Sequence, residues 1–118
     1  MIKVGILTIS DKGSRGERED TSGRVIEEVI RKINGEVKYY KIIPDEKDII
    51  QEELIKAVDK LHLDLILTTG GTGLAKRDVT PDATLKIIEK EVSGISEIIR
   101  SESFKKTNRA ILSRAVAG

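Results

Sequence analysis

Three short β-type runs alternate along this chain with helix-type segments, and this order limits the folds that the chain can adopt. Ile2 to Ile9 is almost entirely apolar or β-branched, as is typical of a strand buried on both faces. A second strand is predicted over Glu36 to Ile43, where the alternation is imperfect, and a third over Asp64 to Thr69. Strands that alternate with helices pair in parallel, so we predict an α/β domain with helices on both faces of one mostly parallel sheet.

The helices are predicted from apolar periodicity and from capping residues. A first helix begins near Asp20–Ser22 and stops at Asn34-Gly35. Pro44-Asp45 opens a second helix with Asp45 as its N-cap, and Thr80-Pro81 opens a third with Thr80 as its cap. The third helix is expected to run to about residue 91, a shorter one to cover 95–100, and residues 104–118 to form a helix turn or a terminal strand. The expected buried positions are Val25, Ile26, Val29, Ile30, Ile33, Ile50, Leu54, Ala57, Val58, Leu61, Leu85, Ile88, Val92 and Phe104.

Composition excludes several classes of function. The 118 residues suit a single domain over residues 1–118, and 21 basic residues nearly balance 20 acidic ones. No field of positive charge is therefore expected, which argues against nucleic acid as a partner. The absence of cysteine excludes disulfides, Fe–S clusters and thiolate zinc sites, and the single histidine, His62, is predicted to be a surface residue. The first apolar run is too short for a signal peptide or a membrane span, so we expect a cytoplasmic protein without membrane contact.

Unusual polar segments follow all three predicted strands, at the edge where open parallel sheets bind ligands. They are Ser10-Asp11 after the first strand, Asp45 after the second and Gly70 to Asp82 after the third. Within the last segment, three glycines among residues 70–73 permit positive φ and a nest of free N–H groups. The N-terminus of the helix that follows, together with Lys76 and Arg77, adds positive potential. This loop predicts a site for a phosphate-bearing small molecule.

Four carboxylates are expected near that loop: Asp11, Asp45, Asp78 and Asp82. Two of them would suffice to hold a hydrated Mg²⁺ together with substrate phosphates. Two interpretations stay open for Asp45 and Asp82, because each also stands where it would serve a helix N-terminus. The hydroxyls of Ser10, Ser14 and Thr72 are further candidate ligand donors. A dinucleotide fingerprint and a P-loop are both absent, and a receiver-type domain would need an acidic residue where Thr69-Gly70 stands.

The glycine loop and its surroundings resemble a known family. The string Thr68-Thr69-Gly70-Gly71-Thr72-Gly73, followed by Arg77-Asp78-Val79-Thr80-Pro81-Asp82-Ala83-Thr84, is similar to the signature of the MoaB/Mog molybdenum cofactor biosynthesis proteins. Agreement extends to the first loop, to the segment after the second strand and to a later stretch; the residues concerned are Ser10, Asp11, Ser14, Gly16, Asp20, Ile43-Pro44-Asp45-Glu46, Leu112-Ser113-Arg114-Ala115 and Gly118.

The resemblance implies a doubly wound three-layer α/β/α fold, a homotrimer, and the molybdopterin adenylyltransferase activity of the Mog branch. In that reaction Mg-ATP and molybdopterin give adenylylated molybdopterin and pyrophosphate. The resemblance implies that Asp45 and Asp78 are the catalytic and metal-binding residues. It assigns substrate and phosphate binding to Ser10, Asp11, Ser14, Gly70, Gly71, Thr72, Gly73, Arg77, Thr80, Asp82 and Ser113.

Family members continue past the position of Gly118 with an Asn-Leu-Pro-Gly-Ser-Pro-Lys type segment that lines the active site. The resemblance therefore implies a C-terminally shortened member of the family. The alternative to the transferase is a non-catalytic, MoaB-like paralogue or scaffold that binds molybdopterin or nucleotide without turnover.

Overall fold

The computed structural model describes residues 1–118 and contains three strands, five α-helices and one short 3₁₀ helix. The strands are β1 (Ile2–Ile9), β2 (Gly35–Ile43) and β3 (Leu65–Thr69), within a residue of the predicted bounds. The helices are α1 (Asp11–Ser14), α2 (Thr21–Lys32), α3 (Lys47–Asp59), α4 (Thr80–Ile87) and α5 (Ser93–Phe104), and the 3₁₀ helix covers Asn108–Leu112. None of the helices has the length and apolar composition needed to cross a membrane.

The sheet is wholly parallel with strand order β2-β1-β3. The chain leaves β1 for one neighbour and returns past it to the other, so the strand order reverses beside β1. That reversal is the topological switch point where open α/β sheets bind ligands. The imperfect alternation in the second strand has a structural cause, since β2 lies at the edge and its pairing register shifts between Val4 and Gly5 of β1.

Helices cover both faces of the sheet, which confirms the three-layer prediction. On one face Val4 and Ile6 of β1 are fully buried against Ile30 of α2. On the other, Leu7 and Ile9 join a larger cluster with α3 and α4; its buried members are Leu7, Ile9, Ile43, Ile50, Leu54 and Ala83. Successive β1 residues face opposite sides, so an uninterrupted apolar run supplies both halves of the core.

Several predicted buried positions are wrong. Apolar side chains on the outer faces of the helices and next to the helix ends are in solvent, each 38% exposed or more: Val25, Val29, Ile33, Val58, Leu61, Leu85, Val92 and Phe104. Helical periodicity identifies an apolar stripe, but it does not say how much of that stripe the sheet covers. Ile30, Ile50, Leu54 and Ala57 are buried as predicted.

Two helix boundaries also differ from prediction. Helix α4 ends at Ile87, four residues early, because Ile88 is already extended with ψ 145. Helix α5 then begins at Ser93, so Gly94 lies inside its first turn and does not interrupt a helix. After the 3₁₀ helix the chain is extended, and Ala117 accepts a hydrogen bond from the Val92 amide at 2.7 Å.

Candidate functional site

The carboxyl ends of β1 and β2 are joined by a reciprocal pair of hydrogen bonds between two aspartates. The Asp11 amide donates to Asp45 Oδ2 at 2.9 Å, and the Asp45 amide donates to Asp11 Oδ1 at 3.0 Å. Asp45 is therefore not an N-cap, which corrects the sequence-based assignment. Helix α3 begins two residues later, at Lys47, and its N-cap residue Glu46 makes no side-chain capping bond.

Asp45 is a half-buried carboxyl among other acidic groups. Burial raises its pKa above the ordinary value, the hydrogen bond from the Asp11 amide opposes that rise, and the charges of Asp11 and Asp78 add to it. The influence of Asp78 means that the carboxylates following β2 and β3 sense one another at this edge. Asp45 is thus the acidic side chain at this edge whose ionised form is destabilised by its surroundings.

The glycine loop depends on positions where a side chain has no room. Gly70 has φ +98, and a Cβ there would collide with the Ile9 carbonyl oxygen. Gly71 has φ +66, and a Cβ there would lie 3.0 Å from Asp45 Oδ1 and closer still to the Thr80 hydroxyl. The missing side chain of Gly71 therefore lets the loop backbone approach the Asp45 carboxylate directly.

The backbone of this loop presents a row of unused donors. The amide N–H groups of residues 70–74 donate to no acceptor within the protein, whereas the Ala75 amide donates to Asp78 Oδ2 at 3.0 Å. Consecutive free amides next to glycines form an anion-binding concavity. Free amides are thus present in the loop that adjoins Asp45, and their use as an anion-binding nest stays a prediction.

Arg77 joins the glycine loop to the first two strand ends. Its guanidinium donates to Asp11 Oδ2 at 2.6 Å and Oδ1 at 3.1 Å, and to Glu46 Oε1 at 2.9 Å. The hydrogen bonds from Arg77 hold the pKa of Asp11 below its ordinary value. Three of the four predicted carboxylates therefore lie along one edge, but Asp11 is neutralised by an arginine while Asp45 is not.

Asp82, the fourth carboxylate, pairs with Arg114 at 3.3 Å. The hydrogen bond from Arg114 lowers the pKa of Asp82. Arg114 also bonds the backbone of the glycine loop, which makes it a residue that reasoning from local chemistry missed. Its only sequence signal was its place in the Leu112-Ser113-Arg114-Ala115 stretch.

Four of the five hydroxyl-bearing candidates form hydrogen bonds inside the protein. Ser10 Oγ accepts from the Gly13 amide at 3.0 Å and caps α1, while Ser14 Oγ donates to the Asp11 carbonyl at 2.8 Å. Thr80 was predicted to be the N-cap of α4, but it is the first residue of that helix. Its hydroxyl donates to the Gly70 carbonyl at 2.9 Å. Ser113 Oγ accepts from the Ala115 amide at 3.3 Å, whereas the Thr72 hydroxyl has no protein partner.

A magnesium ion bound here would have few protein ligands. No three side chains of the His, Cys, Asp or Glu type converge on one point. Asp45 Oδ1 and Asp78 Oδ1 accept no hydrogen bond, however, and both are hard oxygen donors. Mg²⁺ commonly takes one or two carboxylates and fills its shell with water and phosphate oxygen, so this donor set fits it.

The parallel sheet, the free amides at its switch point and the adjacent carboxylates define an α/β domain suited to a phosphate-bearing small molecule. A family model described as "probable molybdopterin binding domain" matches residues 5–118. The chain belongs to this family of molybdenum cofactor biosynthesis proteins, which confirms the resemblance identified from the loop motif.

Relatives in other organisms are similar over nearly the whole chain. It is 46% identical over 119 residues to the molybdopterin adenylyltransferase of Helicobacter pylori (strain ATCC 700392 / 26695), covering 99% of this chain and 68% of that protein. The Pyrococcus furiosus protein of the same name is 44% identical over 98% of this chain and 68% of its own length. The crystal structure of the molybdopterin biosynthesis enzyme MoaB from Thermus thermophilus superposes with a TM-score of 0.93 at 51% identity, over 100% of this chain and 74% of that one.

Proposed function

We propose that this chain is a molybdopterin adenylyltransferase of molybdenum cofactor biosynthesis. In the reaction, an oxygen of the molybdopterin phosphate attacks the α-phosphorus of ATP. The bond from that phosphorus to the oxygen bridging to the β-phosphate breaks, and pyrophosphate leaves. The names of the relatives at 46% and 44% identity support this activity.

One observation carries the proposal: the amides of residues 70–74 are free, and Gly71 lets the backbone of their loop approach the Asp45 carboxylate. The amides are donors for phosphate oxygens, and the carboxylate would repel those oxygens unless a cation lay between them. A site with both features suits a metal–nucleotide complex better than a bare anion.

Asp45 and Asp78 are the residues that we assign to Mg²⁺. When bound, the ion would neutralise charge on the phosphates of ATP and help to orient them. The protein's own contribution is positioning: the bonds with Asp11 hold the Asp45 backbone and one carboxylate oxygen, leaving Oδ1 available.

The remaining candidates divide by what their side chains already do. Thr72 and the amides of Gly70, Gly71 and Gly73 are assigned to direct phosphate contact because nothing in the protein uses their donors. The others shape the site through internal bonds: Ser10, Asp11, Ser14, Arg77, Thr80, Asp82 and Ser113. Arg77 and Asp11 could exchange partners when an anionic substrate enters, since that ion pair is half-exposed.

Pyrophosphate release from Mg-ATP in the presence of molybdopterin tests the function. We expect release by the unaltered protein, and a loss of at least about 100-fold for Asp45→Asn and Asp78→Asn, the scale seen when electrostatic groups are removed from active sites. Asp48→Asn is the matched control, because Asp48 is exposed and makes no side-chain bond. Pyrophosphate release that does not depend on Asp45 and Asp78 would contradict the assignment.

A non-catalytic paralogue that binds molybdopterin or nucleotide is the second candidate. It is supported by relatives called molybdenum cofactor biosynthesis protein B, a name that states no activity, which are 37% and 40% identical over 99% of this chain. Calorimetric titration with molybdopterin and with Mg-ATP separates the two, because the paralogue binds without releasing pyrophosphate. Absence of binding to either ligand would exclude both candidates.

We further propose a homotrimer located in the cytoplasm. Apolar side chains on the outer surface of α5 support self-association, because Ile95, Ile98 and Ile99 are 49–57% exposed. Sedimentation equilibrium measures the oligomeric state, and a monomer at micromolar concentration would refute the trimer. Cell fractionation tests the location.

A further inference from the structure

Arg114 contacts the glycine loop at three backbone oxygens. Its own amide donates to the Thr72 carbonyl at 2.8 Å, its Nε to the Gly73 carbonyl at 2.9 Å and its Nη2 to the Asp78 carbonyl at 2.7 Å. Nη1 and Nη2 also reach the Asp82 carboxylate at 3.3 Å. The Arg114 side chain thus bonds to Gly73, Asp78 and Asp82, each more than thirty positions away in sequence.

These carbonyl bonds determine where the neighbouring amides point. In a planar trans peptide, the C=O of one residue and the N–H of the next point in opposite directions. Fixing the Thr72 carbonyl therefore orients the Gly73 N–H, and fixing the Gly73 carbonyl orients the Leu74 N–H. Both of these N–H groups belong to the set without an internal acceptor.

The guanidinium itself is not free to contact a ligand. Every nitrogen of the Arg114 side chain has an acceptor inside the protein. Arg100 of α5 holds the segment around it by donating to the Ser113 and Ala115 carbonyls at 3.3 and 2.9 Å. Arg114 is therefore anchored from two sides, and its contacts connect it to the glycine loop.

We propose that Arg114 is a positioning residue that aims the Gly73 and Leu74 amides at the phosphate group of the substrate. The inference rests on the proposed function for the identity of the substrate, but its physical content is anion affinity at the loop. Lysine cannot replace it, because one ammonium group cannot match the fork that bonds Gly73, Asp78 and Asp82 together.

The test compares Arg114→Gln, Arg114→Lys and Arg109→Gln. Arg109 is exposed and its side chain makes no bond, so its substitution removes the same charge from the same segment. Titration with inorganic pyrophosphate and with Mg-ATP measures affinity, and ¹⁵N–¹H spectra locate the response. We expect both Arg114 variants to bind about 10- to 100-fold more weakly, as misdirecting two amides that bond a charged group implies.

In the unaltered protein, pyrophosphate should shift the Gly73 and Leu74 amide resonances, and in the Arg114 variants these shifts should shrink. Arg109→Gln should retain the unaltered affinity. Equal losses of pyrophosphate affinity in Arg109→Gln and Arg114→Gln would show that only net charge matters and would overturn the proposal. Unaltered affinity in a folded Arg114→Gln would overturn it as well. A pyrophosphate complex that leaves the Gly73 and Leu74 amides unshifted would overturn it too, and so would an absence of pyrophosphate binding.

Asp82→Asn keeps the test decisive if Arg114→Gln fails to fold. It leaves Arg114 in place but removes the carboxylate that holds it, and we expect an affinity loss of about 3- to 10-fold from weakening one charged pair. Unchanged affinity in Asp82→Asn would then count against the proposal. Because these readouts need no turnover, a protein that binds pyrophosphate through these amides but adenylylates nothing would refute the proposed function alone.

Discussion

Replacing Gly71 with alanine should damage stability and anion affinity together. The added Cβ would force a non-glycine residue into the left-handed region at φ +66, which costs about 1–2 kcal/mol. It would also displace the Thr80 hydroxyl from its bond with the Gly70 carbonyl, which contributes about 0.5–1.5 kcal/mol. We therefore expect Gly71→Ala to lower the free energy of unfolding by about 1.5–3.5 kcal/mol, the sum of these two ranges.

Two other glycines separate these contributions. Gly16 has φ +75 but open space around it, so Gly16→Ala carries the conformational cost alone, about 1–2 kcal/mol. Gly94 lies in α5 with nothing within 4 Å, so Gly94→Ala should stabilise the protein by up to about 1 kcal/mol. The order of stability should be Gly94→Ala, unaltered protein, Gly16→Ala, Gly71→Ala.

Urea unfolding followed by circular dichroism measures these differences, since the midpoint and slope give the free energy for a two-state domain. Titration with pyrophosphate supplies the second readout. Only Gly71→Ala should weaken binding, because its methyl group would lie 3.0 Å from Asp45 Oδ1. If Gly71→Ala is no less stable than Gly16→Ala and binds pyrophosphate normally, the close approach of the loop to Asp45 is wrong.

Three further substitutions test the electrostatics. Burial raises the pKa of Asp45, so its ionised form lowers the free energy of unfolding at neutral pH, and this loss disappears as pH falls through that pKa. Asp45→Asn should therefore raise the urea midpoint at neutral pH but not in acid. The same substitution should abolish pyrophosphate release. Burial alone would raise the pKa of Glu53, but hydrogen bonds from Lys41 and Tyr39 outweigh burial and lower that pKa. The stabilisation by the ionised carboxylate is therefore lost as pH falls through the lowered pKa. Glu53→Gln should lower the free energy of unfolding by about 1–2 kcal/mol at neutral pH and by less in acid, and a loss that does not depend on pH would contradict this. Arg77→Gln should return the Asp11 pKa toward its ordinary value in a carboxyl NMR titration, because the Arg77 hydrogen bonds are the largest cause of its lowering; an unmoved Asp11 pKa would show that the pair does not form in solution.

Much of this architecture follows from local sequence signals. The continuous apolar run of β1 predicts burial on both faces, and Val4 and Ile6 on one side and Leu7 and Ile9 on the other provide it. The polar segments after the three strands predict a shared edge, and Asp11, Asp45 and Arg77 meet there. The order of the strands was not predicted, and the structure gives it as β2-β1-β3.

Other features depend on tertiary partners that no local pattern specifies. Asp45 stands where a helix cap would stand, but the Asp11 amide competes for its carboxylate. Arg114 lies more than thirty residues from the loop that it bonds, so spacing carries no hint of the contact. The apolar outer surface of α2 is indistinguishable in periodicity from its buried surface, because both repeat with the helical turn.

The crowding around Gly70 and Gly71 also divides the loop into positions that can and cannot diverge. Both residues have positive φ, and side chains there would meet the Ile9 carbonyl and the Thr80 hydroxyl, so the fold does not allow chemical variety at these two positions. Thr72 keeps an unused hydroxyl, and Leu74 and Lys76 project into solvent. Related chains that come to prefer a different phosphorylated ligand are therefore expected to differ at 72, 74 and 76 while keeping the same backbone cradle.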